Sequence, residues 1–507
     1  MRRHIRQRIG VGAASLMLVL TACSGAKAPQ DAASDGSGDS ELQADVAPGV
    51  EGAESAAPGS LAPGATTAPG SAAGAPAGST GPGKSGGTSA GGSNGSSTGG
   101  TTGATTGGSR PGTAPGSSNQ ANLFAGALNT RGITSKEITI CGHAALTYGP
   151  AFNATKDDFN VYYSAVNDAG GIFGRKIEAT YENDDYKPAT AIQAAEACKA
   201  KNPFMILGGI GFDQIPGVRN WAEQNKELYI HHIATDRDAS SKQYSYTTQP
   251  SVEAVGRAFG ELTVSKFKTK KVGILYRSSE FWEPGFDAFQ SVAKKRGLNV
   301  VLSVPVTQNQ ANYTQALLQL KNAGAEVVWG WENTLALTQM VKQAKAQNYS
   351  PQWVAFPFNL TSQTLENDAL TPPMIGLASW PGYSKGDYSG TFASYAADMK
   401  EFEIQYAKYR PGTDIEGVAG DLLWLNWVEQ KRVVEMLRAC GPQCTRNGFV
   451  GMLANGYRKT VGPTCALDFS GGRNNGSGNL VNEMETYRSP SGKVNWRSTS
   501  RCRKTFL

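Results

Sequence analysis

Histidine is scarce: four occur in 507 residues, and one of them, His4, lies in the first ten. A triad built around an imidazole base therefore has few places to form. From about Arg131 onward there is no Gly-x-Ser-x-Gly elbow, no GxxxxGK(S/T) phosphate loop and no HExxH pair. These absences argue against the common nucleophilic, phosphoryl-transfer and zinc-hydrolase chemistries, and no enzyme is expected. Paired CxxC spacing is also missing, and no histidine lies near Cys440 or Cys444, so no metal and no cofactor is expected. No run approaches the 18 or more apolar residues of a spanning helix, so the chain is not expected to cross a bilayer. Aromatic residues are missing between Ser24 and about Gln120, and large aliphatics are few there.

What is present in that aromatic-free stretch is Gly, Ser, Thr, Ala and Pro, as in Gly86–Gly108, GGTSAGGSNGSSTGGTTGATTGG. Such a composition buries too little apolar surface to offset the entropy of ordering. We expect a tether over 23–125, with a typical end-to-end distance of roughly 55 Å for a Gly-rich coil of that length. Ahead of it comes a basic opening, MRRHIRQR, and then an apolar or small run from Ile9 to Leu20. That run is too short to span a bilayer but suits an export signal over 1–22. Leu20-Thr21-Ala22-Cys23 follows directly and resembles a bacterial lipobox, in which the cysteine is lipidated and becomes the new N-terminus. The expected location is the outer face of the cytoplasmic membrane, held by a lipid at Cys23.

The formal net charge is +6, and part of the excess sits in the leader at Arg2, Arg3, Arg6 and Arg8. Elsewhere Lys and Arg are scattered, apart from Lys266–Lys271 and Arg497–Lys504, which read as solvated faces. No nucleic-acid partner is expected. Setting Cys23 aside leaves six cysteines: Cys141, Cys198, Cys440, Cys444, Cys465 and Cys502. An even number in an exported chain favours disulfides, and six allow fifteen connectivities. Pairing near neighbours in chain order, Cys141–Cys198, Cys440–Cys444 and Cys465–Cys502, is the connectivity we favour among them.

From about Arg131 the pattern alternates strand and helix. Lys136–Cys141, Lys176–Tyr181, Phe204–Leu207 and Leu228–Ile233 read as strands, separated by helices over Thr155–Ala169, Ala189–Lys201 and Pro216–Asn225. After a break near Tyr246–Pro250 the alternation restarts. Ser251–Lys266, Pro284–Arg296, Tyr313–Ala323 and Thr334–Gln347 read as helices between strands at Lys271–Tyr276, Asn299–Val304, Glu326–Trp329 and Gln352–Ala355. A later strand, Met374–Ala378, and two long helices, about Ser389–Tyr409 and Val418–Leu437, follow. Two βα runs of this kind imply an α/β fold of two Rossmann-like lobes, each a parallel sheet flanked by helices. Roughly 375 residues also exceed what one core usually holds.

Four local patterns recur in order: NDAGGIFGRKIE (Asn167–Glu178), YENDDYKPATAIQAAEACK (Tyr181–Lys199), ILGGIGFDQ (Ile206–Gln214) and KVGILYRSSEFWEPGFDAFQ (Lys271–Gln290). Over about Gly132 to Arg497 the chain resembles the type I periplasmic binding proteins of the branched-chain amino acid (Leu/Ile/Val-binding) class, the substrate-binding lipoproteins of ABC transporters. The resemblance implies a monomer of two lobes joined by a crossing-strand hinge, with 126–248 plus 374–440 in one lobe and 249–373 plus 441–507 in the other. It implies capture of a small molecule between the lobes and delivery to an ABC transporter permease. A sensor or adaptor ectodomain of the same fold, without transport, is the alternative. The candidate ligand-binding residues are Gly211, Phe212 and Asp213 in the first Gly-rich turn and Thr235 and Asp236 at the next strand end. From the second lobe they are Trp282, Trp331, Glu332, Asn333 and Phe358. Phe212 and Asp213 stand where the resembling family carries a ligand-binding Ser, so an ordinary amino-acid ligand is not the firm expectation. An amide or a larger aromatic or apolar solute suits the Phe and Trp loops better.

Overall fold

Short apolar runs that end in glycine or a polar residue become strands, and the Ala-rich or amphipathic stretches between them become helices. In chain order the first set is β1 (Glu137–Ala144), α1 (Val161–Asp168), β2 (Lys176–Asn183), α2 (Pro188–Ala200), β3 (Met205–Gly208), α3 (Ile215–Asn225), β4 (Tyr229–His231) and β5 (Ser245–Thr247). The second set is α4 (Val252–Phe267), β6 (Val272–Arg277), α5 (Glu283–Arg296), β7 (Val300–Val306), α6 (Thr314–Asn322), β8 (Val327–Trp331), α7 (Thr334–Ala346), β9 (Gln352–Ala355) and β10 (Ile375–Ala378). Then come α8 (Ala396–Tyr409), α9 (Gly420–Cys440), α10 (Arg446–Ala454), β11 (Arg458–Lys459), β12 (Leu467–Asp468), β13 (Leu480–Arg488) and β14 (Val494–Lys504). The structure is a computed structural model. It describes residues 122–147, 154–233, 235–237, 239–308, 310–332, 334–356, 368–417, 420–470, 474–477 and 480–504, all within one unit, Thr106–Leu507. The expected export signal, its Cys23 and nearly all of the expected tether lie outside the described residues.

The first sheet has five strands in the order β2-β1-β3-β4-β5, all parallel. The second has seven, β14-β13-β10-β9-β8-β6-β7, parallel from β7 to β10 and antiparallel where β13 joins β10 and β14 joins β13. Sheets that are covered by helices on both faces bury their strands completely. Met205–Gly208 is accordingly buried at every position, as is Val327–Trp331. The helix ends follow ordinary capping chemistry. Ser251 accepts the Ala254 N–H at the start of α4, and Thr445 accepts the Gly448 N–H at the start of α10. Gly297 takes a left-handed φ of 66° just past α5. Between α4 and α5 the backbones touch at Gly256 and Gly285, where any added Cβ would strike the facing helix or Trp331.

Three disulfides join Cys141 to Cys198, Cys440 to Cys444 and Cys465 to Cys502, with Cα–Cα separations of 5.4, 5.2 and 5.3 Å. The first pins β1 to α2, and the last pins the segment before β12 to β14.

Two boundaries differ from the sequence reading. The sequence pattern places residues 374–440 in the first lobe, but β10 hydrogen-bonds to β9 and β13 inside the second sheet. It places residues 441–507 in the second lobe, but α10 packs with the first sheet. Its Arg446 donates to the carbonyls of Phe204 and Pro203 at 2.7 Å each and pairs with Glu227. The start of the folded part also moves upstream of 126. Phe124 is buried against Tyr244, and its backbone N–H and C=O both bond to the Asn447 side chain at 2.9 Å. An aromatic residue at the end of a Gly-rich stretch has apolar surface to bury, and it extends the ordered fold by that much.

Candidate functional site

Ligands of open α/β sheets bind beyond the carboxyl ends of the strands. In both sheets those ends carry the unusual residues. The β3–α3 turn of the first sheet runs through Gly211, whose φ of 127° and contact with the Gln214 side chain leave no room for a Cβ. Gln214 holds the turn from below. Its Nε2 donates to the Ile210 carbonyl at 2.9 Å and to Asp184 at 3.1 Å. Asp184 in turn lies 2.8 Å from His143 Nδ1, and His143 Nε2 lies 3.0 Å from the Tyr229 hydroxyl. His143, at a strand end, thus shapes the turn by hydrogen bonding.

Propped in this way, the turn sends Phe212 and Asp213 across to the second sheet's loops. The Phe212 ring lies 5.0 Å from Trp282 and 5.2 Å from Phe281, centroid to centroid. Trp282 packs edge-on to Trp331, 5.4 Å away, and Trp331 stacks on Phe356 at 4.8 Å. The Trp331 indole N–H donates to the Trp282 carbonyl at 2.8 Å, which locks the two rings together. All of these rings are buried.

The charged residues cross the same gap. Asp213 Oδ2 lies 2.9 Å from Arg277 Nη2, and the Ser279 hydroxyl donates to Asp213 Oδ1 at 3.1 Å. Arg277, the last residue of β6, also pairs with Glu332 at 3.4 Å, and its guanidinium lies 5.9 Å over the Tyr186 ring. Burial pushes the Asp213 carboxyl up, against the opposing pull of Arg277 and of hydrogen bonds from Ser279, Tyr186 and Trp282. Two carboxylates, Asp213 and Glu332, thus flank the one guanidinium of Arg277.

The remaining candidates divide. Thr235 is buried, and its hydroxyl has no hydrogen-bond partner among the described residues. Asp236 instead faces Arg219 of α3 in a buried ion pair, and its carbonyl receives the Val252 N–H at 2.7 Å. It organises the start of α4. Asn333 and Phe358 lie outside the described residues. Sequence reasoning missed Arg277, Tyr186 and Ser279. The one signal for Arg277 was a lone arginine closing the apolar strand VGILY, a place where a guanidinium must find acid partners. Among the described residues no group of three His, Cys, Asp or Glu could hold a metal, and no helix is long and apolar enough to cross a membrane.

A pair of helix-covered sheets whose strand-end loops face one another is the architecture of a two-lobed solute-binding protein. A family profile described as periplasmic binding protein matches residues 119–499, and the chain belongs to that family, as a type I member of the branched-chain amino acid class. Proteins of this family are extracytoplasmic solute binders. The chain is 25% identical over 211 residues to a Leu/Ile/Val-binding protein homolog of Brucella melitensis, a match covering 41% of this chain and 57% of the relative. Its fold is similar to that of a fatty acid ABC transporter substrate-binding protein from Thermomonospora curvata, with a TM-score of 0.60 at 15% identity over 75% of this chain and 98% of the other. It is also similar to a solute-binding protein of an ABC transporter from Rhodopseudomonas palustris, solved with 3,4-dihydroxybenzoic acid, with a TM-score of 0.58 at 15% identity over 72% and 97%.

Proposed function

We propose that this chain is a lipid-anchored solute-binding protein that captures a small molecule between its two lobes and delivers it to an ABC transporter permease. The observation that carries the reading is the Phe212–Asp213 turn of one sheet meeting Arg277, Ser279 and Trp282 of the other. It is a set of side chains from two halves that a ligand between them would touch together. The solute is an amino acid, an amide or an aromatic or apolar molecule. The wall of Phe212, Phe281, Trp282, Trp331 and Phe356 supports a flat or apolar body, and the buried acid and guanidinium support a polar head. Thr235 supplies a hydroxyl able to bond a ligand. The leader with its lipobox-like Leu20–Cys23 supports tethering at the outer face of the cytoplasmic membrane, as a monomer.

The test is thermal unfolding of the full chain against amino acids, amides, aromatic acids and fatty acids, followed by uptake of the stabilising solute in cells with and without the protein. Stabilisation by one chemical class together with uptake that depends on the protein supports the reading. Stabilisation without dependent uptake moves the assignment to a sensor or adaptor ectodomain. Absence of stabilisation by every class contradicts capture.

A further inference from the structure

Phe212 and Asp213 are successive residues of the β3–α3 turn, and the second sheet's loops receive both of them. Phe212 is 3% exposed and the Asp213 side chain 8%, so the opposite half shields each from water. The Phe212 ring meets Phe281, Trp282 and Phe356 with centroids 5.2, 5.0 and 6.4 Å away. The Asp213 carboxylate meets Arg277 Nη2 at 2.9 Å and accepts from the Ser279 hydroxyl at 3.1 Å. A flat ring and a neighbouring carboxylate are thus seated on an aromatic wall and a guanidinium.

The two acids on Arg277 differ in origin. Glu332, 3.4 Å away, follows β8 of the sheet that holds β6, so it stays beside Arg277 if the halves part. Asp213 leaves with the first sheet's turn. Parting therefore strips Arg277 of its shorter contact and bares the face of Trp282 that Phe212 covers. A guanidinium in a water-poor place needs that contact replaced. A solute carboxylate replaces it, a neutral head replaces it less well, and an ammonium is repelled by Arg277.

We infer that Phe212 and Asp213 form a latch that holds the halves together before a solute arrives, and that the solute which displaces it is a monocarboxylate with a flat aromatic body, taking the place of the Phe212 ring on Trp282 and of the Asp213 carboxylate on Arg277. The solute class rests on the capture reading; the latch does not. Latched and solute-bound arrangements use the same atoms and exclude each other, so the fraction of unlatched protein scales the apparent affinity. Weakening the latch then tightens binding, the reverse of what losing an ordinary binding residue does.

The experiment has one arm without solute and one with it, both on the full chain. In the first, spin labels on Gln224→Cys of α3 and Lys295→Cys of α5 report the distance between the halves. Phe212→Ala and Asp213→Asn should shift the solute-free distances to longer values than in the otherwise wild-type protein. An unchanged distribution in both variants, shown to be folded, overturns the latch. In the second arm, calorimetry compares phenylacetate and 3-phenylpropionate with their amides. The acids should bind the wild type about tenfold more tightly than the amides, as a charge-assisted contact requires. Phe212→Ala should tighten acid binding by up to about tenfold, the factor an aromatic contact is worth. Asp213→Asn should tighten it in the same direction, which keeps the test open if Phe212→Ala does not fold. Amides that bind as well as acids overturn the solute class, and acid binding that weakens or stays constant in both variants overturns the competition. Failure of acids and amides alike to bind any of the proteins contradicts the solute class as well, and the spin-label distances then decide the latch alone.

Discussion

Asp213 Oδ2 and Arg277 Nη2 stand 2.9 Å apart with both side chains buried, one carried by the first sheet's β3–α3 turn and the other by the end of β6 in the second sheet. The pair therefore belongs to the contact between the halves and to neither half alone. Removing one member of a buried pair costs more than the pair contributes, because the other charge stays in a poorly solvating place. Arg277 is that member, since its loss strands both Asp213 and Glu332: we expect Arg277→Met to lower stability by about 3 kcal/mol, and Asp213→Ala, which leaves Arg277 paired with Glu332, to lower it by less. Asp213→Ala with Arg277→Met should cost less than the two single changes summed, by denaturant unfolding of all four proteins.

The aromatic wall gives a second prediction. Trp331 is fully buried, stacks on Phe356 and donates its indole N–H to the Trp282 carbonyl. Trp331→Ala should cost about 3 to 5 kcal/mol, as large-to-small aromatic changes in a core do. Trp331→Phe keeps much of the ring packing but loses that hydrogen bond, so a smaller loss is expected in the same unfolding measurement.

The disulfides differ in the length of chain they close. Cys465–Cys502 closes a separation of 37 residues and Cys440–Cys444 one of 4. On the loop-entropy account, replacing the first pair with serines should cost roughly 4 kcal/mol and replacing the second roughly 2 kcal/mol. Peptide mapping without reduction checks the connectivity, and thermal unfolding checks the order.

Glu429 makes stability depend on pH in a definite direction. Its folded-state proton affinity is raised to about 7 by burial, so the stability it contributes is full below the ordinary carboxylate range and is lost as pH rises through about 7. Gln mimics the protonated acid. The unfolding temperature of Glu429→Gln relative to wild type should therefore rise between about pH 5 and about pH 7 and level off above that. A difference that is constant over that range would contradict the assignment.

Periodicity carried most of the elements because strands buried on both faces read as apolar runs and the helices between them are Ala-rich or amphipathic. It could not assign β10. IGLA reads as a strand in either sheet, and only its register with Val354 and Glu485 settles which one. Similarly, α10 is short, and what attaches it to the first sheet is Arg446 reaching backbone carbonyls more than 200 residues away in sequence. The Phe212, Trp282 and Trp331 positions were legible as aromatic residues at strand ends. Arg277 was not, because its meaning depends on Asp213 and Glu332, which arrive from separate loops. The partner of Asp236 was illegible for the same reason: Arg219 sits on α3, on the other side of β4 in the chain. The buried Glu429–Arg432 pair was invisible in the sequence, since both fall in a long helix where acid and base one turn apart usually mark a solvated face.

The most direct test of the central claim is the thermal unfolding of the full chain in the presence of graded solutes. At about 100 times its dissociation constant, a captured solute should add roughly 2.7 kcal/mol. The account predicts such a shift for one chemical class, and its loss in Trp282→Ala protein shown to be folded. Folded, solute-free protein that shows no shift with amino acids, amides, aromatic acids or fatty acids would contradict capture between the lobes.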